Sequence, residues 1–243
     1  MPEKILELSV VLPVYNEEEE ILPHLRIIEE KLLALGISYE IIVVNDGSKD
    51  STLSQARAYA SPHVKVLSYD KNQGKGFAVR NGMLQAAGQF SVFMDIDLST
   101  SLDAFESFLK RMRETGCDII IGDRKTSTGS QVVKQPFYRR LLGRGFTYLS
   151  CLCVGRYFKD FTCGFKMFNK KSIQIVFNRQ KISGWAFDTE LIHIACLHGL
   201  KIRQVPVSWK HHSASTVRPL KDVFTSLSGL IRIKINSWKG LYR

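Results

Sequence analysis

A chain of 243 residues suits one α/β domain of ordinary size, or a domain with a short appendage. Its hydrophobic share of 44% and charged share of 23% are average globular usage, which excludes disorder, collagen and low-complexity fibre. The net charge of +11 is uneven: residues 1–100 hold 9 basic and 14 acidic side chains, residues 101–200 hold 16 and 8, and residues 201–243 hold 9 and 1. A basic second half suits an anionic partner (nucleic acid, an anionic membrane, phosphorylated substrates) or forms a solvated basic surface. No apolar run approaches the roughly 18 residues of a membrane span. The start, with Glu3, Lys4 and Glu7, lacks the basic region and cleavage site of a secretory signal. Five scattered cysteines, an odd number, read as reduced thiols in a cytosolic protein without a zinc site.

In chain order, Leu8–Val14 is a short apolar run ending on Pro13-Val14 and reads as a buried strand. Residues 17–35 place Ile21, Leu22, Leu25, Ile28, Leu32 and Leu35 at helical spacing, with Glu17–Glu20 suiting the positive helix start. A second strand, Glu40–Val44, stops at the turn cluster Asn45-Asp46-Gly47-Ser48. A helix near 50–60, a strand at 64–69, a helix at 75–87, a strand at 90–95, a helix at 102–115 and a strand at Cys117–Gly122 follow. Such alternation predicts a mostly parallel sheet covered by helices on both faces, with ligands beyond the carboxyl ends of its strands. After Arg124 the rhythm breaks. Thr126–Gln135 is a polar loop, and residues 137–153 read as a helix with Arg139, Arg140 and Arg144 beside its apolar side. A strand at Gly164–Phe168, a helix at about 186–198 and a strand at Ile202–Val207 complete the core. In residues 220–242, nine large apolar side chains from Val223 to Tyr242 fall on one helical side with basic residues along a flank. Such a helix lies in a membrane interface or packs on its own domain or a twin subunit.

Asp95-Ile96-Asp97 stands at a predicted strand end. Extended backbone would turn both carboxylates to one side, where two like charges call for an oxygen-liking divalent ion such as Mg²⁺ or Mn²⁺. Asp46 could accept hydrogen bonds from a ribose or base, or make an Asx turn or helix cap. The stretch Gly74-Lys75-Gly76 with Arg80 lets backbone and positive charge approach a phosphate. It lacks the third glycine of the dinucleotide pattern and the P-loop signature, which excludes a nicotinamide dehydrogenase and a P-loop enzyme.

Taken together, Pro13-Val14-Tyr15-Asn16-Glu17, Asn45-Asp46-Gly47-Ser48, Gly74-Lys75-Gly76 with Arg80, and Asp95-x-Asp97 resemble the inverting glycosyltransferases of family 2, which have the GT-A fold. Gly122-Asp123-Arg124, Asp160-Phe161-Thr162-Cys163-Gly164-Phe165-Lys166 and Trp185-Ala186-Phe187-Asp188-x-Glu190 are similar to the polyprenyl- and dolichyl-phosphate hexose synthases, the dolichyl-phosphate β-glucosyltransferase branch above all. The resemblance covers roughly residues 8–218. It implies a GT-A domain over residues 1–218, with residues 219–243 as a basic amphipathic helix. It further implies transfer of a hexose, glucose from UDP-glucose, onto a polyprenyl or dolichyl phosphate, with GDP-mannose or a sugar or polysaccharide acceptor as the alternative.

For individual residues, the resemblance assigns Pro13, Tyr15, Glu17 and Asp46 to the nucleobase and ribose, with Arg80 nearby and Lys75 on the phosphates. Asp95 and Asp97 would frame the diphosphate and hold Mg²⁺ or Mn²⁺. Arg124 and Arg139 match positions that grip the lipid phosphate, and Asp160 matches a proposed catalytic carboxylate or is a turn-forming Asp. His211 and His212 would contact the diphosphate or sit in a solvated loop. Trp185 would line the sugar pocket or be core, and Asp188 and Glu190 would cap or support the fold. Two departures stand out: Asp46 follows Asn45 where the family commonly has a second Asp, and Ser99 stands where a third metal ligand, Gln, is common. The protein would work peripherally on the cytoplasmic face of a membrane, with anionic lipid as a partner, no nucleic acid and oligomerisation possible.

Overall fold

The computed structural model describes residues 6–124, 137–210 and 219–243. Seven strands form one sheet in the order β3-β2-β1-β4-β6-β5-β7. They are β1 (Leu8–Val14), β2 (Tyr39–Asn45), β3 (Val64–Ser68), β4 (Phe90–Met94), β5 (Ile119–Asp123), β6 (Phe165–Asn169) and β7 (Ile202–Pro206). All neighbours run parallel except β6, which is antiparallel to both β4 and β5. The helices are α1 (Ile21–Ala34), α2 (Thr52–Ala58), α3 (Lys75–Gln85), α4 (Asp103–Thr115), α5 (Phe137–Val154), α6 (Lys170–Arg179), α7 (Phe187–Leu197) and α8 (Pro219–Trp238). Central strands read as unbroken apolar runs because helices cover both faces. One core joins α1, α2 and α4 to the sheet through residues such as Leu25, Ala56 and Phe108. The other joins α3, α5, α6, α7 and α8 through Met83, Cys153, Phe177, Ile194 and Ile233.

The expected mostly parallel sheet with two covered faces, in the GT-A manner, is therefore present. Three details differ from the sequence reading. Helix α1 begins at Ile21, so Glu17 lies in the turn before it. Helix α6 follows β6 without a loop; the Asn169 side chain caps it by accepting from the Ser172 amide at 2.8 Å, and its ten residues merge with the preceding strand in a pattern search. Strand β4 ends at Met94, so Asp95-Ile96-Asp97 is turn rather than extended chain, and Leu98 is left-handed at φ 52°. The two carboxylates are not brought together by strand alternation.

The β1–β4 ladder ends at Val11 and Phe93. Pro13, which has no N–H to donate, comes after that point, where β1 pairs only with β2. From β1 the chain builds outward first to β2 and β3, then switches to β4. This is the switch point of an open α/β sheet, where loops diverge and leave a crevice for a ligand.

Candidate active site

The loops after β1 and β2 are tied to one another. Asn16, left-handed at φ 55°, donates its amide to Ser48 Oγ and accepts from the Lys49 amide. The Glu17 amide donates to Thr52 Oγ1 at 2.8 Å. Tyr15 is exposed and Pro13 half-buried beside this loop. Burial and the charges of Glu20, Asp97, Asp50 and Asp95 push the Glu17 carboxyl up to about 7.

Asp46 is buried, and its carboxylate accepts from the Gln73 amide at 2.7 Å, the Gly74 amide at 2.9 Å and Asn72 Nδ2 at 3.0 Å. It shapes the glycine loop through these long-range bonds rather than forming a local turn or cap of its own. Gly74, at φ 97°, needs the freedom of glycine. A Cβ on Gly76 would strike Phe187 and the Ile182 carbonyl, so this loop sits directly on the α6–α7 connection. The Gly76 amide donates to the Ser183 carbonyl at 2.8 Å.

Lys75, first residue of α3, reaches across to pair with Asp95. Burial alone would lower its pKa, but Asp95, Asp188 and Asp97 more than offset that and raise it, so the ammonium stays charged. Asp97 accepts from the amide of Ser99 at 2.9 Å and from its hydroxyl at 2.8 Å. Ser99 thus holds the second carboxylate in place. Residues 99–101 are bridged to 208–210 through Ser101 N–H to the Ser208 carbonyl and Lys210 N–H to the Ser99 carbonyl.

On the other side of Asp95 lies the segment 160–166. Asp160, 2% exposed, takes a bidentate fork from Arg124, with Nε at 2.7 Å and Nη2 at 2.8 Å. Burial pushes the Asp160 carboxyl up, yet the Arg124 bonds and charge dominate and hold it below the usual range. Arg124 also donates to Thr162 Oγ1 at 2.8 Å, and its guanidinium lies 5.8 Å from the Trp209 ring centre. Gly164 abuts Asp95: a Cβ there would fall 2.1 Å from Asp95 Oδ2.

The structure therefore gathers Glu17, Lys75, Asp95 and Asp97 on one side and Arg124 with Asp160 on the other. It does not bring Arg80 to the nucleotide loops: the Arg80 Nε donates to the Phe177 carbonyl of α6 at 2.8 Å. The side chain of Arg139, and residues His211 and His212, lie outside the described residues. Trp185 is 49% exposed and so is not core. Glu190 accepts from the Lys181 and Ile182 amides and the Tyr242 hydroxyl, the supporting role expected of it. Sequence reasoning missed Thr162, Trp209, and the contact of Gly164 with Asp95; the only signal was that Thr162 and Gly164 lie in the same short motif as Asp160.

A family model described as "Glycosyl transferase family 2" matches residues 9–177. The chain belongs to glycosyltransferase family 2. It is 37% identical to the dolichyl-phosphate β-glucosyltransferase of Drosophila melanogaster, over 96% of this chain and 77% of that protein. The human protein of that name is 30% identical, over 98% and 78%. Among solved structures, mannosyl-3-phosphoglycerate synthase from Rubrobacter xylanophilus superposes with a TM-score of 0.68 at 18% identity, over 97% of this chain and 75% of the other. Glucosyl-3-phosphoglycerate synthase from Mycobacterium tuberculosis, crystallised with Mn²⁺, UDP and glucosyl-3-phosphoglycerate, gives 0.62 at 21%, over 94% and 80%. These structures share the GT-A fold with this chain.

Proposed function

We propose that this glycosyltransferase moves glucose from UDP-glucose onto the phosphate of dolichol or a related polyprenol, with inversion at the sugar carbon, and that it needs Mg²⁺ or Mn²⁺. One observation supports the reading: Asp95 abuts Gly164 and Arg124 pairs with Asp160, so a carboxylate suited to a donor's metal and a guanidinium suited to an acceptor's phosphate both contact the short segment 160–164. The names of the curated relatives support the donor sugar and the lipid acceptor.

The residues fit a divalent ion. Burial, then the charges of Glu20, Asp97, Asp50 and Asp95, raise Glu17 to about 7, so the Asp95-Asp97 turn adds to an acidic neighbourhood, and hard cations prefer such oxygen ligands. Among the described residues no group of three or more His, Cys, Asp or Glu side chains is placed to hold a metal ion, so an ion on Asp95 and Asp97 would have to take its remaining oxygens from the diphosphate and water. Asp95 and Asp97 would hold it, and there it would neutralise charge growing on the departing nucleoside diphosphate. Lys75, whose ammonium pairs with Asp95, would supply positive charge to a donor phosphate. Arg124 keeps its full charge and, with Asp160 orienting it, presents its remaining N–H groups to the acceptor phosphate. A phosphomonoester has a second pKa of about 6 and is already mostly dianionic at neutral pH, so alignment matters more than a base. Asp160, held acidic by Arg124, suits orientation rather than proton removal.

Calorimetry with Mn²⁺ across UDP- and GDP-sugars, followed by transfer assays on phosphorylated polyprenol and soluble sugars, tests donor and acceptor. Asp97→Ala should abolish Mn²⁺-dependent transfer with native circular dichroism; undiminished turnover in that variant would refute the metal role.

A further inference from the structure

Lys166 is the second residue of β6, opposite Phe93 of β4 and Ile121 of β5, and has no exposed surface. Its ammonium donates to the Cys163 carbonyl at 2.6 Å and to the carboxylate of Asp188 in the first turn of α7, and lies 5.3 Å from the Phe93 ring centre. A buried ion pair of this kind is seldom more stable than an apolar pair of the same size, so its presence asks for a reason. The carbonyl it grips belongs to the peptide group that enters Gly164. Gly164 in turn is the surface on which the Asp95 carboxylate rests, near enough that a single added carbon would displace it. Cys163 is fixed from the other side as well, since a Cβ on Gly122 would fall 2.6 Å from its sulfur.

We propose that Lys166, held by Asp188, is a positioning residue for Asp95: it pins the Cys163–Gly164 peptide and so sets the wall against which the carboxylate is placed. The inference rests on the reading of Asp95 as a ligand of the donor's metal. The same buried charge lies close enough to Asp160 to help keep that carboxylate ionised, which ties both halves of the site to one cation.

The test is the charge-balanced double substitution Lys166→Met with Asp188→Asn in the full chain. Expected are native circular dichroism, faster amide exchange at residues 163–165, and Mn²⁺–UDP affinity lower by roughly tenfold, the scale of outer-shell losses at metal sites. Gly164→Ala leaves the pair intact but pushes Asp95 off its seat, and should weaken the same binding. A folded double variant with parental exchange at 163–165 and parental Mn²⁺–UDP affinity overturns the inference. So does a double variant that does not fold, because the pair would then serve the fold. If the parent itself binds no Mn²⁺ with UDP, the role given to Asp95 fails, while amide exchange still decides whether Lys166 pins the peptide.

Discussion

With its carboxyl pushed up to about 7, Glu17 is near half-protonated at neutral pH. The sign of the resulting pH dependence follows from linkage. The unfolded chain loses this proton near 4.5 and the folded chain near 7, so the fold binds it more tightly and stability falls as pH rises between those values. Glu17→Gln should therefore raise the melting temperature at about pH 8 and leave it close to the parent's at about pH 4, which thermal melts at the two pH values check. At this scale the sequence told much through its motifs: the glycine loop, the acidic pair and the 160–166 stretch are legible as residue types at fixed spacing. What it hid was partnership. Nothing in the string shows that Asp46 spends its oxygens on the Asn72 side chain and the backbone amides of Gln73 and Gly74, or that Arg80 turns to a carbonyl of α6. Lys166 in Phe165–Asn169 looks like the solvent-facing member of an alternating strand, and only the cover on both faces of the sheet makes it buried.

Most helices and strands were readable because their apolar periods are long or their runs unbroken. The strand at β6 was readable too, but its reversal was not, since direction leaves no trace in an apolar run; it depends on α5 and the chain after it returning across the sheet. Helix α3 shows how tightly an element that carries the site is seated. A Cβ on its Gly82 would come within 2.4 Å of Val11 Cγ1 and 2.8 Å of Val44 Cγ2, so the helix lies against β1 and β2 with no room between. Gly82→Val would force that contact apart and should cost about 1–3 kcal/mol, the usual penalty of overpacking. Urea titration of the variant measures it, as a lower midpoint at unchanged slope.

At the level of the whole molecule, many of the exposed large apolar side chains among the described residues lie in or just after α5 and α8, two helices that touch. Tyr148, Leu149, Leu152 and Tyr157 in and after α5, and Ile231, Ile235, Trp238 and Leu241 in and after α8, stand out; Trp238 is 83% exposed. Arg156, Lys159, Arg232, Lys239 and Arg243 are exposed among them. Among the described residues no helix is long and apolar enough to cross a membrane. Aromatic and aliphatic groups with basic neighbours suit the surface of an anionic bilayer, where a lipid acceptor would be met. Replacing Ile231 and Trp238 together with Ser should reduce flotation with anionic vesicles and leave Mn²⁺–UDP affinity at the parental value; unchanged flotation would remove membrane docking from the scheme. Point changes serve better here than removal of α8, because Gly229 packs against Ala186 and Ile233 belongs to the core.

The Tyr242 hydroxyl donates to Glu190 at 2.6 Å, Glu190 accepts from the amides of Lys181 and Ile182, and the Ser183 carbonyl next along receives the Gly76 amide. The Tyr242 side chain thus braces the ledge on which the Gly74-Lys75-Gly76 loop sits. Tyr242→Phe would remove one bond of that brace while keeping the buried ring, and any loosening would reach the glycine loop through Glu190 and the 181–183 backbone rather than through the loop's own residues.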